Sequence, residues 1–538
     1  MTSFAQGDGI AVPISWQFDI ESNFEPIVLP PIDFSEIRQE DRINDLDKSL
    51  PWRYGIEQHI KVDLRTQGEL TELPNGDRLW RVAFISQDAI NLSMNFDRFY
   101  LPYGSSLQLY NGEKLDASRR YTSIDNQLSE TVGLWFVSGQ EIWLEYFEPA
   151  WVNDTFNIEI SSVIHGYRMG AVSQFVEDSR GLNDSGGCNY DVMCPIGEDF
   201  DGIKQELKKS VALLNLGNGY LCSAVLLNNA EADKTPYLLT ANHCLESSNP
   251  ALWSARFNWV SPVPECATGQ PSADLQNNFT ISGATLRAKN QRSDFALVEL
   301  NTEIPESWDV AFAGWNNTDI DPTFEVGIHH PNGDIMKTCR DDSGAVKENA
   351  QGIDVWLIGG LSEGSGNGWE LGTTESGSSG SPLFDQNGYV IGQLYAGLSF
   401  CDGTSNNGEY DVYGRFGVSW DAGNNANARL KDWLDPFDTG IEKLNTLSNI
   451  LNVSDFEFTG DLQIYPNPAA TEVTVMNSKY PNLSYRLYDT SGKTLRSGML
   501  QATMNTIQVA EIAEGIYFLH LTDEDSNNAI VKRIVVQH

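Results

Sequence analysis

The apolar residues of this chain come in short runs, and this pattern restricts the folds open to it more than any other feature. Strand-like runs such as Arg78–Ile85 and Gly133–Val137 are separated by clusters of Gly, Asn, Asp and Pro, which is typical of β-strands joined by turns. No run reaches the roughly 18 apolar residues that a membrane-spanning helix requires. At 538 residues the chain is too long for one ordinary core of about 100–150 residues. We therefore predict an all-β protein of three or four domains.

Acidic residues dominate the charge of the chain. It has 74 Asp and Glu against 35 Lys and Arg, which gives a formal net charge of -39. This balance argues against a nucleic acid or an anionic membrane surface as a partner. A solvated acidic surface is the simplest interpretation, and attraction of basic substrates is the alternative.

The seven cysteines all lie between Cys188 and Cys401, so both flanks of the chain contain none. Their spacing lacks the paired C-x-x-C pattern of a zinc site, and disulfide bonds formed in an oxidising compartment are the better interpretation. Because seven is odd, at least one thiol stays unpaired. The distribution also indicates that the middle of the chain is a separate module.

Changes in composition predict the domain boundaries. Residues 1–182 form a β-rich first unit that is rich in aromatic residues, and residues 183–449 form the second unit. Residues 450–460 are a polar linker, and residues 461–538 have the short strand-like runs of a small β-sandwich. The polar, glycine-rich stretch 178–187 between the first two units is of the kind that proteases nick easily.

Three motifs in the second unit carry the residue types of a serine peptidase. Thr240–Cys244 contains a histidine, Ser293–Leu300 contains an aspartate before an apolar run, and Gly377–Pro382 places a serine between glycines. A serine hydroxyl becomes a nucleophile when an imidazole removes its proton and a carboxylate fixes the imidazole tautomer. The predicted catalytic triad is His243, Asp294 and Ser379.

With these motifs the second unit resembles the trypsin-like peptidases, and most closely the lysyl endopeptidases secreted by bacteria. The resemblance rests on ordered motifs at compatible separations: Thr240–Cys244, Ser293–Leu300, Ile328–Pro331, Gly372–Leu383 and Asp411–Arg415. It implies a double β-barrel and a secreted serine endopeptidase. The backbone N–H groups of Gly377 and Ser379 would form the oxyanion hole. No cofactor and no metal is expected.

The same resemblance implies which residue selects the substrate. The usual position of the pocket carboxylate, six residues before the nucleophile, holds Thr373, whereas lysyl endopeptidases use a downstream aspartate that Asp411 matches. A buried carboxylate selects a cationic P1 side chain, because any other side chain leaves it unpaired. We expect cleavage after lysine, with a broader lysine and arginine specificity as the alternative.

Three further residues are expected to contact the substrate. Tyr395 and Gly397 belong to the run Gln393–Gly397, whose backbone would align an extended peptide, and Trp356 matches a tryptophan that stacks beside the catalytic imidazole. Lysyl endopeptidases have a histidine where this chain has Tyr395, so the resemblance does not predict the rate or the pH optimum of the reaction.

Ser378 replaces the aspartate of better-known trypsin-like enzymes, which argues against activation through an ion pair with a freed amino terminus.

The resemblance further implies three disulfide bonds: Cys188–Cys401, Cys194–Cys266 and Cys222–Cys244. Cys339 has no counterpart and is expected to be a free thiol. The adjacent His329 and His330 make a poor metal site, because neighbouring residues on a strand point to opposite faces.

The flanking units resemble export modules. The first resembles the amino-terminal propeptide of secreted peptidases, and we expect a cut after Arg180 that the enzyme could make itself. The third resembles the carboxy-terminal sorting domain of the type IX secretion system, through Tyr465–Pro468, Tyr488–Gly492, Gly515–Tyr517 and Val531–Val536. This implies a protein that is secreted or at the cell surface. Its partners would be the secretion machinery and protein or peptide substrates.

One alternative comes from another functional class. The chain could be a catalytically silent surface-binding protein that keeps a peptidase fold. The intact predicted triad argues against it. The first residues lack the charged and apolar regions of a signal peptide, so we expect either that the chain begins after one or that its true start lies earlier.

Overall fold

The computed structural model describes residues 12–168, 185–246, 248–273, 277, 279–360, 366–448, 462–466, 469–477, 483–489, 493–500, 503–523 and 528–537. The chain forms two compact units, Met1–Leu447 and Ser448–His538. Strands dominate both, and the prediction of an all-β protein is confirmed. In the described part of the chain no helix is long and apolar enough to cross a membrane. The predicted linker 450–460 and the predicted cut after Arg180 lie outside the described residues.

Two sheets that share one core make up residues 12–168. The strands are β1 Ile27–Val28, β2 Trp52–Arg53, β3 Gly55–Asp63, β4 Glu69–Glu72, β5 Arg78–Ile85, β6 Asn91–Tyr100, β7 Ser106–Asn111, β8 Val132–Gly133, β9 Val137–Ser138, β10 Glu141–Glu148 and β11 Asn157–Gly166, and the helices are α1 Ile14–Gln17, α2 Phe34–Asn44 and α3 Leu64–Gln67. One sheet has the order β1-β5-β10-β7 with β4 on β5, and the other has the order β3-β11-β6-β8 with β9 on β6. Apolar side chains of both sheets, such as Phe84 and Phe96, are fully buried in the common core. Burial of this aromatic-rich core is the main force that holds the unit together.

Residues 185–448 contain two larger sheets. The strands are β12 Tyr190–Asp191, β13 Val211–Asn215, β14 Tyr220–Leu227, β15 Tyr237–Ala241, β16 Ser254–Phe257, β17 Thr280–Ser282, β18 Ala284–Asn290, β19 Phe295–Leu300, β20 Ala311–Phe312, β21 Trp315–Asn316, β22 Glu325–His329, β23 Lys337–Asp341, β24 Val346–Ala350, β25 Ile353–Ile358, β26 Pro382–Asp385, β27 Val390–Gly397, β28 Cys401–Asp402, β29 Ser405–Asn406, β30 Asp411–Arg415, β31 Lys443–Leu444 and β32 Leu447–Ser448, and the helices are α4 Asp201–Leu207, α5 Asn242–Glu246, α6 Phe416–Asp421 and α7 Lys431–Leu434. The first sheet runs β17-β16-β13-β14-β15-β19-β18, and the second runs β12-β23-β22-β26-β27-β30-β25-β24. Most of their residues are buried, although β24 at the edge of the second sheet is largely exposed. One apolar cluster lies within the first sheet, one lies within the second, and a third draws side chains from both sheets.

The amino-terminal region and this second region are joined by strand pairing. Strand β2 adds to the edge of β14 in antiparallel register, with Arg53 opposite Tyr220 and Trp52 opposite Leu221. The backbone N–H of Tyr54 continues the contact by donating to the carbonyl of Gly219 at 2.8 Å. The chain before residue 168 is therefore built into the sheet of the following region.

The carboxy-terminal unit is a small pair of sheets. Its strands are β33 Leu462–Tyr465, β34 Glu472–Asn477, β35 Leu483–Tyr488, β36 Thr494–Leu500, β37 Thr503–Gln508, β38 Gly515–Asp523 and β39 Asn528–Val536. They form sheets of order β33-β34-β37 and β36-β35-β38-β39. Alternate residues such as Val473, Val475 and Leu519 point into one shared core, as the period-two pattern of a sandwich requires.

Candidate active site

Three predicted catalytic residues from distant parts of the chain lie close together at the junction of the two larger sheets. His243 lies in α5, directly after β15, and Asp294 directly precedes β19. Strands β15 and β19 are paired, with Ala241 opposite Phe295, so the two side chains start from neighbouring backbone positions. Ser379 lies in the turn before β26, and its carbonyl accepts a hydrogen bond from the N–H of Ser223 at 2.8 Å. This bond ties the turn of one sheet to strand β14 of the other.

The imidazole of His243 is held by Asp294. Its Nδ1 lies 2.8 Å from Oδ2 of the carboxylate, and its backbone N–H donates to Oδ1 at 3.1 Å. Asp294 has the left-handed φ of 50° and is 4% exposed, so the pair is largely shielded from water. With the Nδ1 proton directed at the carboxylate, Nε2 is the basic nitrogen of the ring.

The hydroxyl of Ser379 does not point at this basic nitrogen. It donates to the carbonyl oxygen of Lys48, which is 2.7 Å away. Within the described part of the chain, Nε2 of His243 is buried without a hydrogen-bond partner. The histidine and the serine are thus adjacent but are not bonded to each other.

Glycines shape the turn around Ser379. Gly377 and Gly380 have φ values of +89° and +81°, in the region that residues with a Cβ rarely adopt. A Cβ at Gly380 would also lie 2.1 Å from Oγ1 of Thr240 and 2.6 Å from the carbonyl oxygen of Ser223. The hydroxyl of Ser223 donates to the carbonyl of Gly377 at 3.0 Å. The backbone of the turn is therefore packed directly against β14 and β15.

A deep polar pocket lies beside the serine, with Asp411 at its base. Asp411 begins β30 and is completely buried. Its Oδ2 accepts three hydrogen bonds, and the donors are Trp369 Nε1 at 2.6 Å, Thr374 Oγ1 at 2.7 Å and Ser399 Oγ at 2.6 Å. These donors stabilise the ionised carboxylate in a site that excludes water. Only Oδ1 is left to meet a ligand from the pocket.

The pocket contains the side chain of Lys48. Its Nζ lies 2.7 Å from Oδ1 of Asp411, 2.9 Å from Oγ1 of Thr374 and 2.8 Å from Oγ of Ser399. Three acceptors match the three N–H donors of an ammonium group. Burial lowers the pKa of Lys48 from its ordinary value, and the carboxylate of Asp411 acts against this shift. The side chain of Lys48 is 4% exposed.

Gly397 gives the pocket its opening towards Asp411. The two residues are opposite each other in the pairing of β27 with β30. A Cβ at Gly397 would lie 1.9 Å from Oδ1 of Asp411, so any side chain there would cover the ligand-binding oxygen. Thr373, at the usual position of a pocket acid, donates from Oγ1 to Ser399 Oγ at 2.8 Å and supports the wall.

The two predicted aromatic residues occupy different surroundings. The ring of Tyr395 lies 6.2 Å from the imidazole of His243, centroid to centroid. Trp356 is buried in a core, where its Nε1 donates to the carbonyl of Ile391 at 2.9 Å, and the cations over its ring belong to Lys347 and Arg415. Among the described ring contacts, Tyr395 and not Trp356 is therefore the neighbour of the imidazole.

The adjacent residues His329 and His330 make hydrogen bonds next to the site. Nδ1 of His329 lies 2.8 Å from Oγ of Ser378, and Nδ1 of His330 donates to the carbonyl of Asp334 at 2.9 Å. Burial lowers the pKa of His330 to about 4 and that of His329 well below its usual range. Both rings are neutral at pH 7 and make structural hydrogen bonds. Among the described residues no group of three or more metal-ligating side chains occurs.

Three disulfide bonds hold the region. They join Cys188 to Cys401, Cys194 to Cys266, and Cys222 to Cys244, which are the pairs that the resemblance implies. The last bond ties β14 to the helix that carries His243. Cys339 is a buried free thiol, and burial raises its pKa.

Sequence reasoning missed four contributors to the pocket. Trp369, Thr374 and Ser399 reach Asp411 from different loops, and Lys48 comes from the amino-terminal region. Thr374 lies inside the motif around Ser379, so the sequence could have indicated that it belongs to the pocket. The other three carry no local signature that separates them from ordinary residues of their type.

Two segments of the chain match known protein families. Residues 182–414 match the family described as lysyl endopeptidase, C-terminal domain, and residues 463–537 match the secretion system C-terminal sorting domain. A lysyl endopeptidase of Pseudomonas aeruginosa is 27% identical over 240 residues, which are 43% of this chain and 50% of that protein. The chain spans about half the length of this curated relative.

Two solved structures show weak likeness to the chain. PorZ, a surface component of the type-IX secretion system of Porphyromonas gingivalis, matches at 10% identity and a TM-score of 0.14, over 88% of this chain and 38% of that one. The BSP domain of a biofilm associated protein matches at 10% identity and a TM-score of 0.12, over 94% and 69%. At these scores neither likeness bears on the fold. Residues 182–414 are thus similar to the lysyl endopeptidase C-terminal domain, and the sorting domain at residues 463–537 indicates secretion or attachment to the cell surface.

Proposed function

We propose that this protein is a serine endopeptidase that hydrolyses peptide bonds after lysine. The observation that carries the proposal is the buried carboxylate of Asp411, which binds an ammonium group 2.7 Å away in a pocket beside Ser379. The comparisons support a peptidase of the lysyl type. In this proposal residues 1–182 are a propeptide cut after Arg180, residues 183–449 are the peptidase, and residues 461–538 engage the secretion machinery after the linker 450–460.

The residues have the following roles in the proposed reaction. His243 Nε2 accepts the proton of the Ser379 hydroxyl while Oγ attacks the carbonyl carbon of the P1 lysine. The N–H groups of Gly377 and Ser379 stabilise the resulting oxyanion, each donor lowering the barrier by about 2.7–4 kcal/mol. His243 then donates the proton to the leaving amine. Water hydrolyses the acyl-enzyme by the same route, and Asp294 keeps the imidazole in the required tautomer throughout.

The hydrogen bonds of Asp411 favour lysine over arginine. A guanidinium group binds a carboxylate best through two parallel N–H donors, one to each oxygen. Here Oδ2 already accepts from three protein donors, so a single oxygen faces the pocket. An ammonium group needs only one carboxylate oxygen and finds its other acceptors on Thr374 and Ser399. The pocket therefore suits a compact point charge.

The proposal is tested on the secreted protein after removal of the amino-terminal region. Two peptide esters that differ only in P1, lysine against arginine, are compared by kcat/KM. We expect lysine to be preferred by at least about tenfold, which corresponds to about 1.4 kcal/mol. Equal values would support the broader lysine and arginine peptidase instead. If no ester is hydrolysed and a serine-directed phosphonate fails to label Ser379, the protein is not a serine peptidase and the surface-binding alternative gains support.

A further inference from the structure

The residue that fills the primary pocket belongs to a tight turn of the amino-terminal region. We call Asp47–Leu50 the Lys48 turn. The N–H of Leu50 donates to the carbonyl of Asp47 at 3.2 Å, which places Lys48 and Ser49 at the two central positions of a β-turn. The turn follows α2 and precedes β2, so a helix and a paired strand flank it.

The carbonyl of Lys48 competes with the catalytic base. Ser379 has one O–H donor, and the Lys48 oxygen accepts it at 2.7 Å. The same hydrogen cannot be shared with His243 Nε2, which is buried without a partner among the described residues. While the turn is in place, the imidazole is therefore not positioned to remove the serine proton.

The shape of the turn differs from that of a bound substrate. Peptides that pair with a strand edge are extended, whereas the residues before Lys48 continue the end of a helix: Leu46 donates to the carbonyl of Ile43, and Asp47 to that of Asn44. A cleft of about 1280 Å³ beside Lys48, lined by Gly397 of the predicted substrate-aligning strand, stays open. The turn thus fills the primary pocket without continuing as an extended strand.

The peptide bond between Lys48 and Ser49 has a leaving group that the turn itself holds in place. The N–H of Ser49 and its hydroxyl both donate to Oδ1 of Asp47, at 3.0 Å and 2.5 Å. In proteolysis this nitrogen is the leaving group, and it must accept a proton from His243 and move away. A leaving nitrogen that stays bonded to Asp47 favours rejoining of the peptide bond over release.

A network of charges fixes the turn from its helical side. Nε of Arg53 donates to Oδ1 of Asp41 at 2.8 Å, and the hydroxyl of Tyr167 donates to Oδ2 at 2.6 Å. Nη1 of Arg168 donates to Asp45 at 2.7 Å. On the other side β2 is paired with β14. With both ends anchored, Lys48 enters the pocket with little further loss of conformational entropy.

We propose that the Lys48 turn is a tethered inhibitor, in which Lys48 fills the primary pocket of its own chain and its carbonyl withholds the Ser379 hydroxyl from His243. This inference rests on the proposed peptidase function, because it names the ligand of the same pocket in the full-length chain. Removal of the amino-terminal region would free both the pocket and the nucleophile.

The first test uses the full-length chain and the variant Lys48→Ala, with Lys61→Ala as the control. Lys61 is 80% exposed on β3 and pairs with Glu159, away from the pocket. Phosphonate labelling of Ser379 and hydrolysis of a lysyl ester are followed together with the intact mass. If the turn occupies the pocket in nine-tenths of molecules or more, Lys48→Ala raises both rates at least about tenfold, and Lys61→Ala leaves them unchanged. Equal rates in Lys48→Ala and the parent chain would overturn the proposal, as would rapid cleavage of the parent chain between Lys48 and Ser49.

A second test does not depend on catalysis. In full-length Ser379→Ala, reductive methylation of each lysine is measured by mass spectrometry. We expect Lys48 to react at least about tenfold more slowly than Lys61, and Asp411→Asn to remove much of this protection. Methylation of Lys48 at the rate of Lys61 would contradict its placement in the pocket.

The two proposals fail in different ways. If the processed protein is labelled by the phosphonate but Lys48→Ala is not activated, the tethered inhibitor is wrong and the peptidase stands. If no form of the protein is labelled, including the processed one, the proposed function fails and the inhibitor with it, even if Lys48 is protected from methylation.

Discussion

The hydrogen bonds of the primary pocket are complete, whereas those of the proposed catalytic triad are interrupted. In the pocket, Asp411 has donors on both oxygens and the ammonium of Lys48 has three acceptors. In the triad, the histidine and the aspartate are joined at 2.8 Å, but the serine donates elsewhere. One residue, Lys48, completes the first site with its side chain and interrupts the second with its carbonyl.

In the proposed peptidase, recognition of the P1 side chain and reaction at the serine would therefore depend on separate contacts. The side chain of a ligand decides whether it is bound, and the course of its backbone decides whether the nucleophile meets the base. Substitutions that act on only one of the two sites should therefore change one property and spare the other.

The largest effect is expected from Ser379→Ala, which removes the nucleophile and leaves the pocket intact. Hydrolysis of a lysyl ester by the processed protein should fall by about 10⁶-fold, as for loss of a triad serine elsewhere. The pocket should still bind an amine with the same affinity. This affinity is measured by letting a simple alkylamine displace a fluorescent lysyl peptide from the variant and from the parent protein. If self-processing depends on this serine, the full-length variant should also remain uncut at Arg180. Near-normal hydrolysis would show that another residue attacks the substrate.

Asp411→Asn makes the converse change and damages the pocket alone. Loss of one partner of a buried ion pair costs about 3–5 kcal/mol, so kcat/KM for a lysyl ester should fall by roughly 10²- to 10⁴-fold. Labelling of Ser379 by a small phosphonate without a basic group should be unchanged, because the triad does not involve Asp411. A parallel fall in labelling would mean that the substitution disturbs the turn around the serine.

A buried histidine behind the site should make the stability of the protein sensitive to acid. His330 is buried against the carbonyl of Asp334, and burial lowers its pKa to about 4. A histidine in the unfolded chain has a pKa of about 6.5. Above that pH the ring of His330 is neutral in both the folded and the unfolded state, so its protonation costs the folded state no stability. Between pH 6.5 and 4 only the unfolded chain binds the proton, and the free energy of unfolding should fall by up to about 3 kcal/mol.

Thermal unfolding across this pH range checks the expectation for His330. His330→Gln should show a shallower fall in stability below pH 6.5. The control is His59→Gln, because the side chain of His59 is 81% exposed. An unchanged slope in His330→Gln would assign the acid sensitivity to other groups.

The smallest effect is expected from Trp369→Phe, which replaces the indole by a smaller aromatic ring and removes one donor from Oδ2 of Asp411. A hydrogen bond to a charged group contributes about 1.5–3 kcal/mol, so kcat/KM for a lysyl ester should fall by roughly 10- to 150-fold. Arginine should lose less, because the change frees an oxygen for a guanidinium group. Trp356→Phe is the matched control, since its donor bonds to the carbonyl of Ile391, and the ratio of lysine to arginine should stay constant there.

Local motifs carried most of what could be predicted from the sequence. The strand pattern predicted the all-β fold, and short segments with strict geometry brought His243, Asp294, Ser379 and Asp411 into consideration. Such segments can be recognised in a sequence because their local geometry requires particular residues next to each other. The glycines around Ser379 are an example. The three cysteine pairs followed from the same resemblance.

Contacts between distant segments could not be predicted in this way. Lys48 lies 331 residues before the serine that it contacts and 363 before Asp411, and nothing in its neighbourhood distinguishes it from other lysines. Trp356 and Trp369 are only 13 positions apart and lie in the same apolar cluster. The resemblance pointed to Trp356, but Trp369 is the one that donates to Asp411. Which of two tryptophans reaches a carboxylate depends on the path of a loop. That path is decided by tertiary packing.

The crowding at Gly380 has a consequence for how this protein can vary. A single methyl group there would collide with the hydroxyl of Thr240, 2.1 Å away, and with the backbone of Ser223. The motif that contains His243 and the motif that contains Ser379 are thus packed so closely that no additional carbon atom fits between them at this position. They are nevertheless over a hundred residues apart in the chain. A mutational library should find position 380 closed to every other residue. Exchange of either motif with a relative should succeed only when both are exchanged together.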